Sequence, residues 1–267
     1  MIILGRKLQR LREERGLSLR EVAAQTRGSL GPSKLSAIET AKRPVTAFDV
    51  AGLCRTYKAS HALTDQLERM AEEALSPGWW EPYSTYMLED FAMLLELEEV
   101  CSAINVYQSE LIPGLMQTDE YARAIHAPGP VLDMSAIDQA VALRALRQQR
   151  FWGRDPLPAI QVVIHESAIT RPICSSDGDQ AQRAQLLEIA RSGRADIRVL
   201  SSSAGAHPSM KGSYTILSSG MAEISDAVYT ETITGARYEP EATAVEACRT
   251  FFEATAKMAN PIEEYLI

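Results

Sequence analysis

The stretch GLSLREVAAQTRGSLGPSKLSAIETAKRP, residues 16–44, decides how the first part of this chain folds. Gly16 stops a preceding helix in which Leu4, Leu8 and Leu11 recur at one-turn spacing, while Arg6, Lys7, Arg10 and Arg15 remain available to solvent. Ser18 and Glu21 have the S-x-x-E spacing of a capping box, so a second helix begins near Leu19. Val22 and Ala23 face inward on it, and the small Ala23 and Ala24 let another helix cross closely. Gly28, Ser29 and Gly31 supply turn chemistry, and Pro32 suits a first helical position. A third helix runs from about Pro32 to Ala41, burying Leu35 and Ile38 and exposing Ser33, Lys34, Ala37 and Thr40. A fourth begins near Thr46 or Ala47 and carries Phe48, Leu53 and Tyr57. Residues 62–75 continue as an acidic amphipathic helix that closes a compact all-α module.

Two short helices joined by a turn, with Lys42-Arg43 just after the second, can set one helix in the major groove and fasten it to phosphates. A small charged bundle without any nucleic-acid role has the same periodicity, so the order of several segments has to decide. Gly16-Leu17-Ser18, Glu21-Val22-Ala23, Ser33-Lys34-Leu35-Ser36, Ile38-Glu39 and Lys42-Arg43-Pro44 together resemble the Cro/repressor-type (Xre) helix-turn-helix. The resemblance implies that the third helix is the recognition helix, with Ser33 and Ala37 pointing at bases and Lys34 nearby. It implies phosphate contacts from Lys42 and Arg43, and a partly buried ion pair between Arg12 and Glu39. Ser accepts several base edges and Ala only a thymine methyl, so each half-site is read weakly and a homodimer on double-stranded DNA is expected. Two departures stand out. Leu19 occupies a place where the family often has a phosphate-holding Gln, and the turn RGSLG, residues 27–31, is about two residues longer than usual.

Charge follows the same division. Of the chain's 27 Lys and Arg and 35 Asp and Glu, residues 1–58 hold 12 and 5, leaving 15 and 30 for the other 209 residues. A basic head suited to a phosphate backbone therefore precedes an acidic body that such a backbone repels.

With 267 residues, 46% of them apolar, the chain has room for two domains with real cores. No apolar run reaches the roughly 18 residues of a membrane span, and the charged start MIILGRKLQRLREERG lacks signal-peptide order. Cys54, Cys101, Cys174 and Cys248 are far apart and read as buried free thiols in a reducing cytoplasm. Ser76-Pro77-Gly78 breaks the head from the body, and Trp79-Trp80 beside it reads as a packed anchor rather than a base-stacking platform.

Beyond the break, residues 90–102, 118–126, 135–152, 178–193 and 241–259 read as helices. AINVYQSEL, AIQVVIHES, DIRVLS, GSYTILS and AVYTETITG read as strands. The expected fold is α+β overall: an all-α helix-turn-helix domain (1–75), a linker (76–89) and a layered α/β domain (90–267) with a mostly central sheet. GWWEPY, DFAMLLELEEVCSAINVYQSELIPGLMQTDEYARA, the SAGAH segment and VYTETITG resemble the C-terminal domain of a large actinobacterial regulator family. Some of its members are described as antitoxin-like and paired with a small protein encoded nearby. That resemblance implies a transcriptional regulator whose body binds or senses something.

His165-Glu166 and His207 are the best acid–base candidates, but no nucleophile elbow, P-loop, G-x-G-x-x-G or H-E-x-x-H accompanies them. Four scattered histidines offer no metal-ligand spacing, so no enzyme activity, metal or cofactor is expected. Arg144, Arg147 and Arg150 recur at helical spacing; a solvated face is expected, with an anionic ligand or acidic partner as the alternative. The leading reading is a DNA-binding regulator whose body dimerises and binds a small partner protein. The other is a ligand-responsive regulator, which a pocket with convergent polar groups would favour.

Overall fold

The computed structural model describes residues 2–26, 30–73, 78–87, 91–126, 133–220, 224–232 and 235–266. The chain divides into two compact units, Met1–Pro82 and Tyr83–Ile267.

The first unit is all helical: α1 (Ile2–Glu14), α2 (Leu19–Gln25), α3 (Pro32–Glu39), α4 (Ala47–Thr56) and α5 (His61–Glu73). Gly16 takes φ +65°, the left-handed conformation that ends α1 without a Cβ penalty. Ser18 caps α2 through the expected capping box. Thr46 caps α4, its hydroxyl accepting the Asp49 amide at 3.1 Å. Leu4, Leu8, Val22, Leu35, Ile38, Val50, Leu53 and Leu67 form one buried core.

Several details differ from the sequence expectation. Ala24 is exposed, and the close approach belongs instead to Gly5, where a Cβ would stand 2.5 Å from the Ile38 carbonyl oxygen. Phe48 is 85% exposed at the start of α4. Arg15 is exposed as expected, and it also donates to the Tyr57 and Lys58 carbonyls at the end of α4 (2.6 and 3.2 Å). The long turn RGSLG falls mostly outside the described residues, as do residues 76–77 and 88–89 of the expected linker. Trp79 and Trp80 meet edge to face at 5.5 Å, both partly buried.

The second unit is layered. Among its described residues seven strands form one mixed sheet of order β6-β5-β4-β1-β2-β3-β7. Three are parallel neighbours, β1 (Ala103–Gln108), β2 (Ala159–His165) and β3 (Asp196–Leu200). Antiparallel strands flank them: β4 (Tyr214–Ser218), β5 (Ala227–Thr232) and β6 (Gly235–Glu239) on one side, β7 (Asn260–Pro261) on the other. The helices are α6 (Phe91–Val100), α7 (Asp119–His126), α8 (Met134–Trp152), α9 (Glu166–Thr170), α10 (Ser176–Arg191), α11 (Ala242–Ala256) and α12 (Ile262–Tyr265).

Alternation assigns the two faces. Tyr107, Val163, Ile216 and Val228 point to one face and pack with Val245, Phe252 and Ala256 of α11. Ile104, Val106, Thr215 and Tyr229, on the opposite register positions, face a cavity whose other walls come from α6 and α8. The strand AIQVVIHES stops at His165, because Glu166 and Ser167 open α9 under a His165 cap. β6, β7 and α12 were not read from sequence; GARYE and the two-residue β7 carry no strong apolar alternation. Ile233 and Thr234 of the expected strand AVYTETITG lie outside the described residues. Cys54 and Cys101 are buried free thiols, but Cys174 and Cys248 are only partly buried. No helix among the described residues is long and apolar enough to cross a membrane.

Candidate functional site

The helix-turn-helix face is built around α3. Gly31 precedes it with extended backbone (φ −68°, ψ 158°), and Pro32 takes its first position, where a missing N–H costs nothing. Ser33 is exposed and Ala37, one turn later on the same face, is partly exposed. Ala41 adopts φ +56° and turns the chain out of the helix, so that Lys42 and Arg43 follow immediately, both exposed. No ion pair holds either one among the described residues.

Lys34 behaves differently. Its Nζ stands 3.0 Å from Asp49 Oδ2, both groups partly buried, so it ties α3 to α4. A base contact from Lys34 would require giving up that pair. Arg12 and Glu39 meet side-on and fork to fork, Nε to Oε1 at 2.7 Å and Nη2 to Oε2 at 2.8 Å. Arg12 also donates to the Leu17 carbonyl at 2.8 Å, so one side chain joins α1, the turn before α2, and α3. The Glu39 hydrogen bond raises the Arg12 pKa against the opposing effect of burial. Leu19 packs against the core and Glu21 returns its carboxylate to the Ser18 amide at 2.7 Å. The start of α2 therefore presents an apolar side chain and a carboxylate where a phosphate-holding Gln was the family expectation.

In the second unit the structure draws Arg144 and Arg147 off the expected solvated face of α8, while Arg150 stays on it, exposed. Arg147 is buried and forms two bonds with Glu98 of α6, at 2.6 and 2.8 Å, and Arg150 joins Glu99 at 2.7 Å. Burial opposes the Arg147 charge, but Glu98 more than offsets it, leaving the pKa above the ordinary arginine value. Arg144 donates to Gln117 Oε1, with His126 Nε2 at 3.5 Å from Nη2. Burial first, and then the neighbouring Arg147 cation, lowers its pKa to about 10, so it is still charged at neutral pH. Sequence reasoning saw the spacing of these arginines. It could not see that adjacent acids on α6, Glu98 and Glu99, stand across from them.

Glu98, Gln117, His126, Arg144 and Arg147 border a cavity of about 460 Å³ between α6, α8, residues 110–117 and the sheet face of β1, β4 and β5. That falls within the roughly 300–1,000 Å³ of small-molecule pockets. Its walls are largely apolar, including Phe91, Leu94, Val106 and Leu143, with Arg144, Gln117 and Tyr229 among the polar groups. Gln148 fixes the 114–117 segment by donating to the Gly114 and Gln117 carbonyls at 2.8 and 2.9 Å.

The acid–base candidates are divided between two networks. The His165 and His207 rings stack at 6.2 Å, and Tyr107 meets His207 Nε2 at 3.4 Å. Burial, then the neighbouring His165, lowers the His207 pKa. Glu166 is engaged elsewhere, accepting from Tyr265 and the Ser202 amide, both at 2.6 Å. Among the described residues no group of three His, Cys, Asp or Glu side chains could hold a metal ion.

Residues 3–67 match the family described as a helix-turn-helix domain, and residues 91–264 match one described as a domain of unknown function (DUF5753). No curated protein and no solved structure matches the chain. The helix-turn-helix match supports a DNA-binding regulator, while the role of the second unit is open. By the extent and position of the longer match, the chain belongs to the DUF5753 family, with a helix-turn-helix domain ahead of it.

Proposed function

We propose that the chain regulates transcription by docking α3 in the major groove in the Cro/repressor manner, and that the second unit controls this by holding a small molecule. The observation that carries the ligand is the cavity of about 460 Å³, apolar in its walls with polar groups converging from α8 and residues 110–117. A binding role rather than catalysis fits the separation of Glu166 from the two histidines. The test is DNA affinity of the full chain, by fluorescence anisotropy, with and without a low-molecular-weight cell extract. A change that disappears when Leu143→Trp fills the cavity supports the reading. An affinity indifferent to every extract fraction refutes it.

The alternative, in which the body makes a homodimer or binds a small partner protein in the antitoxin-like manner, rests on a different feature. Phe251 on α11 and Met258 just past its end are exposed, and so is Met210, beside the Ser209 that bonds Thr255 at 2.8 Å. Exposed apolar groups gathered in this way suit a protein contact. Sedimentation of the chain as a dimer that Phe251→Ser dissociates would favour it; a monomer at every concentration would count against it.

A further inference from the structure

We propose that the cavity takes an organic monoanion, a carboxylate on an apolar body, with Arg144 as its charge partner; this rests on the ligand-binding reading above. A charge held inside a protein is ordinarily paired, because neutral groups do not replace the hydration it loses. Arg147 follows that rule through Glu98. Arg144 does not: among the described residues no carboxylate lies within 4.0 Å of its nitrogens, and its partners are the neutral amide of Gln117 and the imidazole of His126. Its Nε–H is buried with no acceptor among the described residues.

The neighbourhood sharpens the deficit. A Cβ built on Gly114 would stand 3.1 Å from Arg147 Nη1 and 3.3 Å from Arg144 Nη1, so both guanidinium groups flank one point on the wall. Any side chain larger than hydrogen there would crowd them. His126 has its pKa lowered by burial and by Arg144, which leaves an imidazole nitrogen able to accept. Glu231 acts on the Arg144 charge only from beyond ion-pair distance, so among the described residues the groups bonded to this guanidinium are neutral. A guanidinium with donors to offer and a second cation beside it is an anion site, and its planar fork matches a carboxylate.

The number of negative charges follows from the lining. Glu98 is taken by Arg147 and Glu110 by Arg171, at 2.6 and 2.7 Å. Glu231, at the exposed end, accepts the Tyr229 hydroxyl at 2.7 Å and keeps a carboxylate in the cavity's field. Among the described lining residues one arginine, Arg144, lacks an ion partner, and three carboxylates border the same space. A dianion such as a phosphate monoester is therefore disfavoured against a single carboxylate. The apolar remainder, from Phe91 and Leu94 across to Val106 and Leu143, suits a hydrocarbon or aryl body.

Titration calorimetry on the full chain tests this with octanoate and 4-phenylbutyrate, each against its amide, and with octyl phosphate. The neutral dye N-phenyl-1-naphthylamine, bright in apolar surroundings, reports whether the cavity admits any ligand. The acids should bind at least about tenfold tighter than the amides, a difference of about 1.4 kcal/mol or more. Arg144→Gln should abolish that preference while keeping the dye signal, and Arg144→Lys, which keeps the charge, should retain part of it. Amides binding as well as acids, octyl phosphate outbinding octanoate, or acids binding Arg144→Gln unchanged would each overturn the anion assignment. Dye entry without binding of either acid would overturn it too, leaving the cavity reading in place. Exclusion of the dye and all the probes would remove both.

Discussion

Arg12 and Arg144 are both partly buried helix arginines, and the fold uses them in opposite ways. Arg12 finds Glu39 in a two-bond pair with both side chains mostly buried, 11% and 6% exposed. Removing one member leaves a charge without its partner, so Arg12→Ala or Glu39→Ala should each cost about 3 kcal/mol, near the low end for a buried pair. The double variant Arg12→Met/Glu39→Leu should lose less than either single; chemical denaturation of the three decides this. Glu166 allows a second test. The Tyr265 hydroxyl, and next the Ser202 amide, hold its pKa at about 2 against an ordinary 4.5. Because the folded value is the lower one, its contribution is fully present above pH 4.5 and is lost as the pH falls toward 2. Thermal melts of Glu166→Gln should therefore show a flatter decline than wild type across that window. Parallel curves would remove Glu166 as the cause.

At the scale of elements, the decisive contact in the first unit is the crossing of α1 on α3. Gly5→Ala gains about 1 kcal/mol in helix propensity but sets a methyl against the Ile38 and Glu39 carbonyls, at 2.5 and 3.0 Å. Overpacking of that kind costs about 1–3 kcal/mol, and rigid backbone on the far side favours the upper end. The expected net effect is a lower melting temperature with α3 displaced, read together as weaker DNA binding; an unchanged melt would show that the helices can part. The segment after α3 has a different signature. Lys42→Ala/Arg43→Ala should weaken binding to every duplex alike and reduce the slope of log affinity against log salt by roughly 2, about 0.9 per phosphate. Ser33→Ala should instead change which sequences are preferred. An unaltered salt slope would exclude Lys42 and Arg43 from the phosphate contacts.

At the scale of the whole chain, basic and acidic groups segregate along the sequence, and each unit has its own apolar core. A cut between residues 82 and 83 should yield two folded pieces. The first should hold DNA weakly and with steep salt dependence, as a single reader of one half-site does. The second should bind the octanoate probe but not DNA. Circular dichroism and anisotropy on the two fragments check both outcomes, and an unfolded second piece would show that its core needs the first.

The helices of the first unit were legible because one-turn apolar spacing, a capping box and a stop glycine are local signals, each acting within a few residues. Most strands of the body were legible for the same reason, through β-branched runs. GARYE was not, because an edge strand with few apolar residues is specified by its partner β5 rather than by itself. The helix-turn-helix with its basic tail and the α+β layout were thus determined by the sequence alone. Tertiary structure decided what the charges do. Lys34 became a tie between α3 and α4, the exposed Arg15 bonded the end of α4, the Arg147 charge met Glu98 across 49 residues of chain, and Arg144 was left facing a cavity. Charge pairing depends on distances of a few ångströms between segments far apart in sequence, and no local pattern encodes that proximity.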